Sequence, residues 1–265
     1  MYDKVIGLLT DFGIKDYYVS AMKAVILRIC PEAKIIDISH EIDKYNVLQG
    51  AFLLKQAAKH FPDKSVIVGV VDPGVGGERK MIAIEGKRHF FVGPDNGLLT
   101  LAAFDEGIKR TVEIKNQKYF LQRSGTFDGR DVFAPIAAHI LNGVTLDEIG
   151  PEVKDITNLS IPKPVFKGNK VKLTILHIDS FGNIVTNVEI RKFLDWCRDA
   201  KGFKLALDDE VITLGFAKSY ENAQTELFFI PGSSEFMEIS MKMSSAADRL
   251  KVKLGETLEV SKLVD

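Results

Sequence analysis

Residues 5–9 form an unbroken apolar run, VIGLL, that gives way almost at once to Asp11, Phe12 and Gly13. Its length and β-branching predict a buried strand that ends in a loop. Between 17 and 29 the rhythm changes: Tyr18, Met22, Val25, Ile26 and Ile29 recur at three- and four-residue spacing, and Pro31 stops the helix they predict. A second strand is predicted over 35–38 and a second helical stripe through Val47, Ala51, Leu54, Ala57 and Ala58. After Pro62 a strongly β-branched third strand is predicted over 66–71. This β-α-β-α-β order predicts a parallel sheet with helices packed on its faces.

Beyond residue 71 the pattern shortens. DPGVGG punctuates the chain, 81–84 and 90–92 read as strands joined around Gly86, and PDNG at 94–97 is a tight loop. An apolar helix is predicted over 132–141, closed by Asn142 and Gly143. Pro151, Pro162, Pro164 and Gly168 lie in a stretch of low periodicity, the expected boundary, before a strand over 171–178. The C-terminal remainder has short alternating runs and few helical signals, as in a small barrel. The chain is therefore expected to be α/β, with an N-terminal α/β domain over 1–160 carrying a mainly parallel sheet. A smaller C-terminal β-barrel-like domain is expected over 170–265.

Composition narrows the partners. Of 265 residues 46% are hydrophobic, enough for a sizeable core, and 35 basic residues stand against 36 acidic ones. That balance supplies no bulk field for nucleic acid or an anionic membrane and points to a small-molecule ligand. Cys30 and Cys197 form no CxxC or zinc-like spacing, so neither a disulfide framework nor a metal is expected, and the compartment is expected to be reducing. The opening MYDKVIGLLTDFG lacks a basic segment followed by an apolar one, and no apolar run approaches a membrane span; the expectation is a soluble cytoplasmic protein.

The chemistry concentrates in loops. Asp11 follows the first predicted strand, at the edge where open α/β sheets bind ligands, and its carboxylate can accept both hydrogens of a ribose diol. It also reads as a helix N-terminal or turn aspartate. VDPGVGGERK at 71–80 lacks the Gly-Lys-Ser/Thr ending of a phosphate loop, which excludes that kind of NTPase. It does offer Asp72 and Arg79 on either side of a glycine-rich turn, able to converge on a pocket or to form a surface ion pair. DSFGNIVTN sets Asp179, Asn183 and Asn187 around Phe181, groups suited to a purine or an amino-acid zwitterion, although hairpin chemistry alone also explains DSFGN. GTFDGRDVF concentrates Thr126, Asp128, Arg130 and Asp131 before the apolar helix, where capping and ion pairing are the plainer reading. His139 and His177 read as structural, and no Ser/His/Asp, Cys/His or metal-ligand constellation emerges.

Taken in order, LLTDFG, VDPGVGGERK, PDNGLLT, TFDGRDVFAP and DSFGNIVTN resemble the SAM hydroxide adenosyltransferase family, whose relatives include the fluorinase and chlorinase. The resemblance implies a larger α/β domain, a smaller β-barrel, and a homotrimer binding S-adenosyl-L-methionine (SAM) between neighbouring subunits. It implies hydrolysis of SAM to adenosine and L-methionine without a cofactor. Asp11 matches the ribose-binding aspartate, Asp179 and Asn183 match groups at the methionine end, and Phe181 matches an aromatic packed on adenine. Tyr45, Phe216, Ser233 and Ser234 match further positions of the SAM pocket, the last three across a small length difference. Asp72 and Arg79 match two members of an Asp-Arg-His trio that holds the attacking water, and Asp128 stands where the histidine is expected. Two other readings stay open: a halide-using SAM adenosyltransferase, disfavoured because a carboxylate repels halide, and a noncatalytic SAM or adenosine sensor.

Overall fold

The computed structural model describes residues 4–207 and 210–264, so the first three residues of the opening segment lie outside the described residues. The chain divides into two units, Met1–Ser160 and Ile161–Asp265. The first begins with β1 (Val5–Thr10), α1 (Tyr18–Ile29), β2 (Lys34–Ser39), α2 (Val47–Ala58) and β3 (Val66–Val70). It continues through β4 (Met81–Gly86), β5 (Phe90–Pro94), α3 (Thr100–Glu106), β6 (Ile108–Glu113), α4 (Ala134–Leu141) and α5 (Leu146–Ile149). The sheet order is β2-β1-β3-β5-β4-β6, parallel from β2 through β5, with β4 antiparallel to both of its neighbours.

The unbroken apolar run of β1 follows from burial on both faces. Ile6 and Leu8 pack with Met22 and Ile26 of α1 and Ala137 of α4. Val5 and Leu9 pack on the other side with Ala51 and Leu54 of α2 and Ala102 of α3. A strand covered on both sides needs no polar alternation.

One local expectation is corrected here. The helix predicted over 132–141 starts as a π-turn, Gly129–Phe133, and becomes α-helical only at Ala134. Pro135 explains the change, since it has no N–H to return to the Asp131 carbonyl, which accepts instead from the Leu121 N–H at 2.8 Å. PDNG is the tight loop that joins β5 to α3. The short elements α3, β6 and α5 had no periodic signature long enough to predict.

The second unit comprises β7 (Val165–Lys167), β8 (Lys170–Ile178), β9 (Ile184–Glu189), α6 (Ile190–Trp196), β10 (Gly202–Leu207) and β11 (Glu210–Phe216). It ends with β12 (Leu227–Pro231), β13 (Phe236–Met241), α7 (Ala246–Leu250) and β14 (Thr257–Leu263). Seven strands close into a barrel, β14-β10-β11-β12-β13-β9-β8, through the β14–β8 pairing, and β7 adds to β8 outside the ring. Closure removes exposed strand edges. Phe193 of α6 anchors the interior, its ring 4.6 Å from Phe229, 5.3 Å from Phe203 and 5.7 Å from Trp196. Phe193→Ala is expected to cost about 3–5 kcal/mol, the range for truncating a buried aromatic. Urea unfolding measures this, and an unchanged midpoint would remove Phe193 from the core.

Candidate active site

Parallel pairing carries the ends of β1 and β3 to one edge of the sheet, because Thr10 lies in register with Val70. Asp11 and Asp72 leave the sheet there. Asp11 is 6% exposed, and its Oδ2 accepts the Tyr45 N–H at 2.9 Å. The Lys44 ammonium donates to its carbonyl. Tyr45 holds a left-handed φ of 67° and leaves its side chain 70% exposed. With Tyr17, Phe127, Asp72 and Asp128, these residues line a cleft of about 570 Å³.

The loop after β3 turns through Gly76, which has φ +78° and passes so close to the Gly125 carbonyl that a Cβ would sit 2.3 Å from its oxygen. Only glycine permits that approach. It brings Asp72 and Arg79 against the 123–128 loop. Arg79 Nε donates to both oxygens of Asp72 at 3.1 and 3.0 Å, and Arg79 Nη2 donates to Asp72 Oδ2 and Asp128 Oδ2 at 2.5 Å each. Arg123, which sequence reasoning did not single out, grips Asp128 in a fork: Nε to Oδ1 and Nη2 to Oδ2, both 2.8 Å.

The side chains of Asp72, Arg79 and Asp128 are only 5%, 11% and 1% exposed, so the pair is not the surface bridge its composition also allowed. Burial alone would raise the Asp128 carboxyl, but hydrogen bonds from Arg123 and then Arg79 outweigh it and hold it below the ordinary carboxylate range. Burial likewise works against the Arg79 charge, and its bonds to Asp72 and Asp128 prevail, raising it further. Arg79 bridges the carboxylates without itself lining the cleft. Asp131 does not cap a helix with its side chain. It locks the loop instead, accepting from the Ser124 N–H and hydroxyl at 2.8 and 2.7 Å and from Arg130 Nε at 2.7 Å.

In the second unit a cavity of about 840 Å³ is lined by Asp179, Phe181, Asn183 and Ser233 among others. Asp179 Oδ1 accepts the N–H groups of Phe181 and Asn183 at 2.9 Å each, and Asn183 Nδ2 donates to Oδ2 at 2.8 Å, so the aspartate shapes its own turn. Phe181 is left 78% exposed. Three expected residues are absent from this lining. Phe216 stacks on Phe193 at 6.3 Å, Ser234 lies beside Ser233 in the β12–β13 turn, and Asn187 ties Thr174 to Pro162.

The lining also includes Glu238, which sequence reasoning missed. Its carboxyl is pushed up to about 7, first by burial and then by the negative charge of Asp179. Gly232 makes room for it, since a Cβ there would lie 2.1 Å from Glu238 Oε1. The available signal was an ionisable residue between Met237 and Ile239, both fully buried. Among the described residues no cluster of three or more His, Cys, Asp or Glu side chains is arranged for a metal ion, and no helix is long and apolar enough to cross a membrane.

Residues 6–150 match the SAM hydroxide adenosyltransferase N-terminal domain, and residues 173–259 match the corresponding C-terminal domain. A protein of Methanocaldococcus jannaschii named (R)-S-adenosyl-L-methionine hydrolase is 39% identical, over 97% of this chain and 95% of its own length. A protein of Actinoplanes named fluorinase is 27% identical over 69% of this chain and 71% of its own. The crystal structure of an uncharacterized conserved protein from Thermotoga maritima superposes with a TM-score of 0.90 at 38% identity, covering 97% of this chain and 100% of that one.

Glu238 yields a signed pH prediction. A carboxyl raised by folding from 4.5 to about 7 contributes stability that is fully present below its unfolded value and lost as pH rises through about 7. Neutral Glu238→Gln should therefore match the ligand-free wild type near pH 4 and exceed it near pH 8. Thermal melts across that range measure this, and parallel pH dependences in the two proteins would refute the assignment.

Proposed function

The chain belongs to the SAM hydroxide adenosyltransferase family, and on that premise we propose that it hydrolyses SAM to adenosine and L-methionine. The observation that carries this reading is the buried Asp72–Arg79–Asp128 network on a cleft that also holds Asp11. In the reaction a water oxygen bonds to C5′ as the C5′–S bond breaks, its electron pair passing to the methionine sulfur and neutralising the sulfonium. The water proton leaves to a base. Because the leaving group is already good, the protein chiefly has to align the nucleophile, a contribution on the order of 7–11 kcal/mol in favourable systems.

Bulk water, with a pKa of about 15.7, is a poor nucleophile. Arg79 stabilises developing hydroxide and Asp72 orients the water or takes its proton. Asp128, kept ionised by two guanidiniums, is a poor base and serves to orient Arg79. Asp11 accepts the ribose hydroxyls, with Tyr45 beside it. Asp179, Asn183 and Ser233 bind the methionine end and Phe181 packs on adenine. Phe216 and Ser234 belong to the same contact set on the family match alone. No cofactor is required. The active species is a homotrimer with SAM bound between neighbouring subunits, and the free thiols Cys30 and Cys197 suit a reducing cytoplasm.

Incubation with SAM, with and without chloride or fluoride, followed by chromatography, tests the reading. Adenosine formation independent of halide is expected, whereas a halogenated nucleoside would favour halide transfer and unchanged SAM a sensor. Asp72→Asn and Arg79→Ala are each expected to slow single-turnover adenosine formation on the order of 100-fold or more, with far smaller changes in SAM affinity. Asp128→Asn should give a smaller or pH-shifted loss, and Asp128→His should retain hydrolysis. Wild-type rates in both Asp72→Asn and Arg79→Ala would rule out this mechanism. Light scattering of active protein should report a trimer, and an active monomer would contradict a shared site.

A further inference from the structure

The pairing around Asp128 contains one more charged group than water activation by Asp72 and Arg79 requires. Arg123 does not line the cleft, yet it makes two of the three side-chain hydrogen bonds that Asp128 accepts. Its loop is shaped to place it there: Gly125 has φ +82°, and Ser124 is tied to Asp131 through both its N–H and its hydroxyl. The side chain of Arg123 is 34% exposed against 1% for Asp128, so the guanidinium reaches inward from solvent to a buried acid.

The charge balance explains the extra arginine. Asp72 and Asp128 both accept from Arg79 Nη2 at 2.5 Å, so without Arg123 two buried carboxylates would share one cation. Such a triad carries a net negative charge where solvent is scarce, which favours protonation of one acid and neutralises the field Arg79 can present to a bound water. With Arg123 the four groups balance. Asp128 is then held in a planar fork from one side and can fix the Arg79 plane from the other. The remaining charged groups on the cleft, Asp11, Asp16, Lys44 and Arg130, make no hydrogen bond to the Asp128 side chain, and Arg130 is engaged by Asp131.

We propose that Arg123 is a positioning residue for SAM hydrolysis, acting through Asp128 to keep Arg79 oriented and its positive charge available to the attacking water. This rests on the hydrolase reading. Arg123 is not a catalytic residue, since it acts only through Asp128.

The test combines Arg123→Ala, Arg123→Lys, Asp128→Asn and the Arg123→Ala/Asp128→Asn double variant. Arg123→Ala is expected to lower kcat roughly 10- to 100-fold, the scale of losing alignment at a reacting centre, with KM changed much less. Its acidic limb of kcat against pH should move upward, because Asp128 loses a cation and its carboxylate is then lost at higher pH as pH falls. Arg123→Lys should recover much of the rate but not all, since lysine keeps the charge without the fork. In the Asp128→Asn background Arg123→Ala should have little further effect, because the acid that needs the second guanidinium is gone. Carboxyl ¹³C NMR titration should show Asp128 titrating higher in Arg123→Ala than in wild type, a readout independent of turnover. An unchanged Asp128 titration, an unchanged kcat profile in Arg123→Ala, or an equal rate loss with and without Asp128 would overturn the proposal. Failure of the wild type to form adenosine would overturn the hydrolase reading and the positioning role with it, whereas adenosine formation together with an unchanged Asp128 titration in Arg123→Ala would overturn the positioning role alone.

Discussion

A carboxylate with 1% of its surface exposed has to be paired, and the pairing of Asp128 constrains the loops that bring Arg79 and Arg123 to it. An unpaired charge at that depth costs several kcal/mol, so the two guanidiniums offset that cost as well as serving the chemistry. Each comes from a different loop. Arg79 arrives through the approach of Gly76 to Gly125, and Arg123 through a turn closed on Asp131. Asp131 is presented by a π-turn whose successor, Pro135, frees its carbonyl for Leu121. Glycine contact, π-turn and proline thus form one arrangement, and π-turns of this kind are frequent where a side chain must be aimed.

These loops stand on strands that are packed from both faces. β1 and β3 are buried along their whole lengths. Parallel strands deliver Asp11 and Asp72 to the same edge at adjacent register positions, and the loops beyond supply the partners. Position is set by the sheet and charge by the loops.

That division also accounts for what could be read from the sequence. Strand ends are local events, so Asp11 and Asp72 were recognisable as edge residues from the apolar runs before them. Arg79 was recognisable because a glycine-rich turn separates it from Asp72. Arg123 had no such marker: its partner is five residues away across a glycine, and nothing in RSGTFD distinguishes an inward fork from a solvated arginine. Glu238 was hidden for a related reason, since a strand alternation identifies a second face without saying whether solvent or a cavity lies on it. Phe216 was matched to the ligand pocket across a length difference, and the structure adds that its ring stacks on Phe193. The parallel β11–β12 pair within an otherwise antiparallel barrel was equally beyond a reading of alternating runs.

Asp128 and Glu238 together show which quantity controls the chemistry. Both are removed from solvent, and burial is the largest influence on each, in the same upward direction. They nevertheless move apart. Asp128, between two guanidiniums, lies below the ordinary range, while Glu238, with Asp179 as its charged neighbour, rises to about 7. Desolvation raises both carboxyls, and the net direction depends on whether cationic hydrogen-bond donors outweigh it, as they do at Asp128 and do not at Glu238. For Asp128 those donors are supplied by loops whose backbone allows the approach, so an exchange as small as Gly76 for a residue with a Cβ would act on the ionisation of a carboxylate it does not touch.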